Sequence, residues 1–440
     1  MSIRRKILRD SKRSLGREGR RIVFEPCAAP PLDRAQFPVL ERRIGRDGDR
    51  ALAYLDNAAT ALVPRRVTDA VTRFLHTSCA NIHRGAHVLA EEATDAYECA
   101  REHLAAYLGV EDSARVVLTH GATESLNLAA LCWAEHALRP GDIVAVAEDN
   151  HHSNIVCWLM LAERRGVELA WIPVKADGRL DYGAWCRIAA RAPKVVALVQ
   201  QSNVIGWMQP DLPRILDDAR RMGAFIALDG AQAAAHAPVD LATLPVDFYV
   251  LSAHKMMGLT GIGALVCSPR ALEGMRPAIG GGGMAARVDA RGYVPASGPQ
   301  GFEAGTPAIA AAVAWDEALS MLEEAGMEAV HRHVAALASR AQRGLSDLPG
   351  VRVLGGMPSA CASLVSFAVE GVHPHDASAA FDAEGVLVRA GHHCAKPIHA
   401  ALGVRASVRA SFAGYSSEAD VDALLRAATL LVERTGRAGR

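Results

Sequence analysis

The sequence predicts an α/β protein: a large domain with a mostly parallel sheet, followed by a smaller α+β domain. Two observations predict it. Between residues 116 and 267, short apolar runs alternate with segments of helical periodicity. That is the pattern of strand–helix crossovers whose strands are covered on both faces. Beyond about residue 326 the alternation stops, and a helix, several strands and a final helix follow as a block. At 440 residues the chain has room for two or three domains.

The elements justify this in order. Helical periodicity covers residues near 65–76 and 88–108. Val116–Leu118 reads as a strand and Thr123–Ala137 as a helix. Ile143–Ala147 is a strand, Ile155–Arg165 a helix and Val167–Ile172 a strand. Lys194–Gln200 is a strand and Leu212–Met222 a helix; Ala224–Leu228, Asp247–Leu251 and Gly263–Cys267 are strands. Gly280–Gly283 opens a long Gly-rich connection that runs to Gly301, a length that marks functional loops. A long helix begins at Pro307 and ends near 325. Leu364–Val369, Val386–Arg389 and Ser407–Ala413 are the strands of the second domain. The expected division is a basic extension and lead-in at 1–50, a large domain at 51–325 and a small domain at 326–440, with the N-terminal segment free to pack on the small domain.

Composition narrows the function. Lys+Arg and Asp+Glu are 48 each and no basic stripe crosses the body, so no nucleic-acid partner is expected. No apolar run reaches the length of a membrane span. The nine cysteines are odd in number and scattered, with no CxxC pair, which fits a reducing cytoplasm rather than a disulfide framework. Cys394 sits in Gly391-His-His-Cys, a poor core segment; the other eight read as core fillers, with Cys157 the one exception to consider. The basic stretch Arg4 to Arg21 reads as a tail, with an Arg-rich transit peptide as the alternative. His151-His152 and His392-His393-Cys394 have no ordinary zinc spacing, so no metal is expected.

The informative pattern is a series of polar residues at successive strand ends. Ligands of parallel α/β sheets bind beyond those carboxyl ends. His151 follows one strand, Asn203 the next, Asp229 and Gln232 another, and Ser252, His254 and Lys255 a fourth. Pyridoxal phosphate (PLP) needs such a set: an amine for a Schiff base, a carboxylate at the pyridine nitrogen, a stacking partner and a phosphate nest at a helix start. Lys255 suits the first, Asp229 the second and His151 the third. Thr119-His-Gly-Ala-Thr-Glu124 suits the nest, joined by Ser252 and His254, while Gln232 suits the ring hydroxyl.

At this point the sequence resembles the class V aminotransferase-like enzymes of fold-type I, and more closely the SufS-type cysteine desulfurases and selenocysteine lyases. The matching stretches are Tyr54-Leu-Asp-Asn-Ala-Ala59, Asn81-Ile-His-Arg-Gly-Ala-His87, Gly121-Ala-Thr-Glu-Ser-Leu-Asn127 and Asn150-His-His-Ser-Asn-Ile155. Asp229-Gly-Ala-Gln232, Ser252-Ala-His-Lys255, Thr260-Gly-Ile-Gly263, Phe302-Glu-Ala-Gly-Thr-Pro307 and Arg389-Ala-Gly-His-His-Cys-Ala395 follow in the same order. The resemblance runs from about residue 52 to 434. It implies a seven-stranded sheet, PLP as cofactor and a homodimer in which Thr306 reaches the phosphate of the neighbouring subunit. It also implies that Thr123 binds phosphate, that Arg409 holds the substrate carboxylate, that Asn203 lies beside cofactor and substrate, and that Arg389 lines the substrate side.

The activity implied is conversion of L-cysteine to L-alanine. Lys255 acts as base, the Cys394 thiolate takes the sulfur as a persulfide, and a SufE-like or SufU-like protein accepts it. His392 or His393 would serve the thiol, or His151 the substrate thiol. Selenocysteine lyase activity, another PLP reaction such as racemisation, and a non-enzymatic scaffold are the alternatives. Two stretches depart from the family pattern: Gly121-Ala-Thr123 where Gly-Thr-Thr is usual, and Met257-Gly-Leu-Thr-Gly261 where Tyr-Gly-Pro-Thr-Gly is usual.

Overall fold

The computed structural model describes residues 29–356 and 362–438. The basic stretch Arg4 to Arg21, Cys27 and Cys361 lie outside the described residues.

The large sheet has seven strands: β1 (Val116–Thr119), β2 (Ile143–Ala147), β3 (Glu168–Ile172), β4 (Val195–Val199), β5 (Phe225–Asp229), β6 (Phe248–Ser252) and β7 (Gly263–Cys267). Their order across the sheet is β3-β2-β4-β5-β6-β7-β1. All neighbours are parallel except those of β7, which runs antiparallel to β6 and β1. Every residue of β2, β4, β6 and β7 is buried, as expected for apolar runs covered by helices on both faces. Because β4, β5 and β6 run in register, Asp229 pairs with Val199 and Val250, and their C-terminal ends open on one rim.

The strands match the predicted runs to within a residue or two at each end. The predicted helix at 123–137 is split into α1 (Ala122–Leu128), a π-helical stretch at Ala129–Ala134 and a last short turn. The helix Tyr182–Ala189, not foreseen, starts at Asp181, whose carboxylate accepts from the N–H groups of Gly183 and Ala184. α2 (Ser153–Arg165) ends at Gly166 with φ +66°, a left-handed cap suited to glycine.

The Gly-rich connection is not a plain loop. It contains an exposed hairpin, β8 (Ala285–Asp289) with β9 (Gly292–Pro295). Alternating small and charged residues hid its pattern. Beyond it, α3 (Ile309–Ala325) packs on the helices Arg65–Thr77 and Val88–Tyr107.

The small domain holds a four-stranded antiparallel sheet: β10 (Val351–Val353), β11 (Leu364–Val369), β12 (Arg389–Gly391) and β13 (Ser407–Ser411), in the order β10-β11-β13-β12. β10 was missed, being only three residues long and half exposed. The predicted strand Val386–Arg389 is two elements. Val386 and Leu387 pair with Ala53 and Tyr54, and only Arg389 onward joins the four-stranded sheet. The N-terminal segment also touches this domain. Leu32 N donates to Gly414 O, the Phe37 ring lies 4.1 Å from that of Tyr415, and Arg34 pairs with Asp420.

No helix among the described residues is long and apolar enough to cross a membrane. The prediction that the remaining cysteines fill the core is corrected for three of them. Cys79, Cys99 and Cys186 are exposed, because each lies on the outward face or at the end of a surface helix. Cys132, Cys157 and Cys267 are buried as expected.

Candidate active site

The strand ends and the small domain enclose a cavity of about 230 Å³. Lys255, Asp229, His151, Asn203, Gln232, Ser252, His254, Thr123, Arg389, Arg409 and Cys394 all contribute to its wall. Thr306 does not. It is exposed, beside a separate depression formed with the hairpin.

Lys255 closes a single 3-10 turn, Ala253–Lys255, that follows β6. Two bonds fix this turn from outside: Ala61 N and Thr60 Oγ1 donate to His254 O at 2.9 and 3.2 Å. Burial drives the lysine below its ordinary value, and the positive charge of Arg409 adds to the effect, while Asp229 and Cys394 oppose it. Asp229 ends β5 and accepts from Ala231 N at 3.0 Å. Burial pushes its carboxyl up, against the pull of Lys255.

His151 stands on a turn that two asparagines pin to the neighbouring strand. Asn150 donates to Ala197 O and Asn154 to Leu198 O, each at 2.9 Å, and Trp158 Nε1 donates to Asn154 Oδ1 at 3.0 Å. Burial, with Lys255, His152 and Arg409 nearby, pushes His151 down to about 3, so the ring is neutral at physiological pH. Burial likewise takes His254 down to about 4.

At the other end, Gly121 (φ +151°) turns the chain from β1 into α1. Ala122 N donates to Ser252 Oγ at 2.8 Å, and the Thr123 and Ser153 hydroxyls bond at 2.7 Å. A Cβ on Gly263 would stand 2.5 Å from Gly121 Cα, so β7 can pass this turn only as glycine. Ala122 enters through its backbone, so the absent threonine hydroxyl leaves this contact intact. Leu259, where the family has proline, packs half-buried against the core.

Arg409 on β13 is 2% exposed and lies opposite Arg389 of β12 in the ladder. Its Nη1 donates to Asn203 O at 3.0 Å, and Nη2 reaches Asp56 Oδ1 at 3.4 Å. Arg389 Nε donates to the same carboxylate, 3.1 Å from each oxygen. Two guanidiniums thus share one carboxylate, which leaves a surplus positive charge facing the cavity. Burial lowers Arg409 to about 10.

Cys394 is exposed, on the turn His392–Ala395 that joins β12 to α4 (Lys396–Ala401). His393 and Cys394 are both left-handed, with φ +50° and +53°. Three bonds hold this conformation. Asn203 Nδ2 donates to His393 O at 2.6 Å, His152 N donates to Cys394 O at 2.6 Å, and Ala395 N donates to His392 O at 2.9 Å. The two candidate histidines beside the cysteine differ. His392 is exposed, whereas His393 is buried, bonded to Ser407 Oγ at 3.0 Å and pushed by burial down to about 2. Its ring is therefore neutral at physiological pH, with Nε2 engaged by Ser407. Cys157 lies off the cavity, and burial takes its thiol up to about 12.

The donor set fits pyridoxal phosphate. The cavity wall offers an amine, a buried carboxylate, a neutral imidazole, and hydroxyl and N–H groups at a helix start. Gln232 Oε1, His254 Nδ1 and Asn203 Oδ1 are buried on this wall without a hydrogen-bond partner. Buried polar atoms rarely stay so unless a ligand or water serves them. Gln232 Nε2 is already given to Ala58 O at 2.8 Å.

Sequence reasoning assigned no role to Asp56, Asn150, Asn154 or His152. The signals were there: an aspartate within Tyr54-Leu-Asp-Asn57, and asparagines four apart around the paired histidines.

The chain is similar to known proteins over most of its length. The model of the aminotransferase class-V family matches residues 53–424, and the chain belongs to that family, whose enzymes work with pyridoxal phosphate. Curated relatives within it include cysteine desulfurases. A probable cysteine desulfurase of Streptomyces coelicolor is 40% identical, over 89% of this chain and 94% of the relative. The cysteine desulfurase CsdA of Escherichia coli is 39% identical, over 93% and 98%. A crystal structure of the latter superposes with a TM-score of 0.82 at 38% identity, covering 91% of this chain and 97% of that one. A cysteine desulfurase of Thermococcus onnurineus superposes equally well, with a TM-score of 0.82 at 34% identity, over 87% and 95%.

Proposed function

We propose that the chain is a PLP-dependent cysteine desulfurase that converts L-cysteine to L-alanine and carries the sulfur as a persulfide on Cys394. One observation carries the reading: Lys255, Asp229, Arg409 and Cys394, drawn from both domains, line one cavity. An amine, its counter-charge, a carboxylate anchor and a thiol are what this chemistry requires.

The cofactor, held by Lys255, supplies an electron sink for bonds at the substrate α-carbon. Asp229 would hold the cofactor's ring charge, His151 would stack on the ring, and Thr123, Ser252 and His254 would hold the phosphate. Gln232 and Asn203 present polar atoms to the ring and the substrate. Arg409, with Arg389 and Asp56 beside it, anchors the substrate carboxylate. The depressed basicity of Lys255 makes its amine available to move the α-proton. Cys394, as thiolate, attacks the substrate sulfur; the carbon–sulfur bond breaks, and its electron pair stays with the carbon that becomes alanine.

The enzyme works as a homodimer, with Thr306 completing the phosphate site of the other copy. The exposure of Thr306 outside its own cavity supports this. A SufE-like or SufU-like acceptor takes the sulfur in the cytoplasm and passes it toward iron–sulfur clusters or other sulfur traffic. The exposure of Cys394 supports that transfer. Alanine release from L-cysteine by the PLP-loaded protein tests the activity; a loaded protein that releases none contradicts it.

A further inference from the structure

His152 is bonded to Cys394 and to the chain just beyond it, yet neither the sequence pattern nor the chemistry above assigns it a role. Its backbone N–H donates to Cys394 O at 2.6 Å, and its ring Nε2 accepts from Lys396 N at 3.0 Å. Lys396 N is the first N–H of α4, one of the donors that a helix leaves without an internal partner. The local sequence provides no cap: Ala395 stands at the cap position, and Pro397 follows. The acceptor instead comes from 244 residues away.

The footing of this residue is rigid. His152 lies between Asn150 and Asn154, whose amides are fixed to β4, and it opens α2. The left-handed pair His393–Cys394 is costly for residues with side chains and persists only when its surroundings over-determine it. Asn203 holds the near side of the turn through His393 O. On the far side of Cys394 it is bounded by the His152 ring and by His399 Nδ1, which bonds Ala395 O at 2.9 Å.

We propose that His152 is a positioning residue that clasps the Cys394 turn through Lys396 N, and that protonating its ring opens the clasp. The inference rests on the desulfurase reading only for its effect on turnover. An acceptor at Nε2 requires a lone pair there, so the working ring is neutral with its proton on Nδ1. Protonation would set a donor against the Lys396 N–H. The ionisable groups facing the ring are His392, Lys396 and His151. Burial, then the charges of His392 and Lys396, lower its pKa from 6.5, so the clasp holds at neutral pH and is lost only as pH falls through the lowered pKa.

The test compares wild type with His152→Ala and His152→Gln, all PLP-loaded. Glutamine keeps an acceptor near the Nε2 position and does not titrate. The first readout is hydrogen exchange of the 392–401 peptide at pH 5.5 and 7.5, corrected for intrinsic rates, which needs no turnover. The clasp predicts faster exchange in His152→Ala at both pH values, near wild-type exchange in His152→Gln at pH 7.5, and acid-enhanced exchange in wild type alone. The second readout is single-turnover persulfide formation on Cys394. His152→Ala should slow it about tenfold at unchanged cysteine KM, since small misplacements of a reacting group are expensive, and His152→Gln should restore it. Exchange that is the same in all three proteins, or acid-enhanced in His152→Gln as in wild type, overturns the clasp. A wild type that forms no persulfide overturns the desulfurase reading instead, and the exchange result still decides the clasp.

Discussion

Arg389 and Arg409 face each other in register across β12 and β13, and both reach the carboxylate of Asp56. The arrangement leaves one positive charge unneutralised at the buried Arg409. On the proposed reading, a substrate carboxylate would supply the missing counter-charge. Arg409→Lys keeps the charge but loses the planar fork, and lysine cannot reach both Asn203 O and a carboxylate in the same way. The expected outcome is a rise in cysteine KM of about tenfold or more, with cofactor absorbance retained. Arg389→Ala, on the exposed side of the pair, should have the smaller effect.

Lys255 is the lysine that carries the cofactor in this account. Borohydride reduction of the loaded protein, followed by peptide mapping, should put the adduct on Lys255. Mapping to another lysine would refute the assignment. Lys255→Ala should lose covalent retention of the cofactor after reduction and also lose alanine production.

The turn from β1 into α1 depends on a close approach between Gly121 and Gly263. Gly263→Ala would place a methyl carbon 2.5 Å from both Gly121 Cα and Leu251 O, and backbone cannot move aside cheaply. The expected cost is about 1–3 kcal/mol of stability, in the range for overpacking a buried site. Cofactor affinity should fall as the turn shifts. Urea unfolding and PLP titration of the variant read the two effects separately.

His103 joins the helix Val88–Tyr107 to α3, with Nδ1 2.6 Å from Asp316 and Nε2 3.0 Å from Glu323. The Asp316 bond, helped by Glu323 and opposed by burial, raises its pKa from 6.5 to about 9. A raised value means that folding favours the protonated form. The stabilisation is therefore fully present below pH 6.5 and lost as pH rises through about 9. The urea midpoint of wild type should fall across this window more than that of His103→Gln. Equal slopes would remove His103 as the cause.

The large sheet was legible because its strands are unbroken apolar runs such as Ile143–Ala147 and Gly263–Cys267, separated by amphipathic helices. The rim residues were legible because parallel strands put their C-terminal ends on one side. The hairpin Ala285–Pro295 was not, since it is largely exposed, and neither was Val351–Val353, which is only three residues long. The partnership of Asp56 with Arg389 and Arg409 was hidden for another reason. It joins residues more than 330 positions apart through a parallel bridge between Asp56 and Ser411, a contact that no local pattern encodes. The same holds for His152 and Lys396. Sequence spacing identified which groups the chemistry needs, but not which ones hold them in place.

The central claim is that Cys394 receives the sulfur. The direct measurement is peptide mass spectrometry after brief exposure of the PLP-loaded protein to L-cysteine without acceptor, paired with alanine yield in wild type and Cys394→Ala. The account predicts one added sulfur atom on the peptide containing Cys394, and a variant that still binds cofactor and substrate but loses nearly all alanine production. Equal alanine yield from the two proteins, with no persulfide on Cys394, would contradict it.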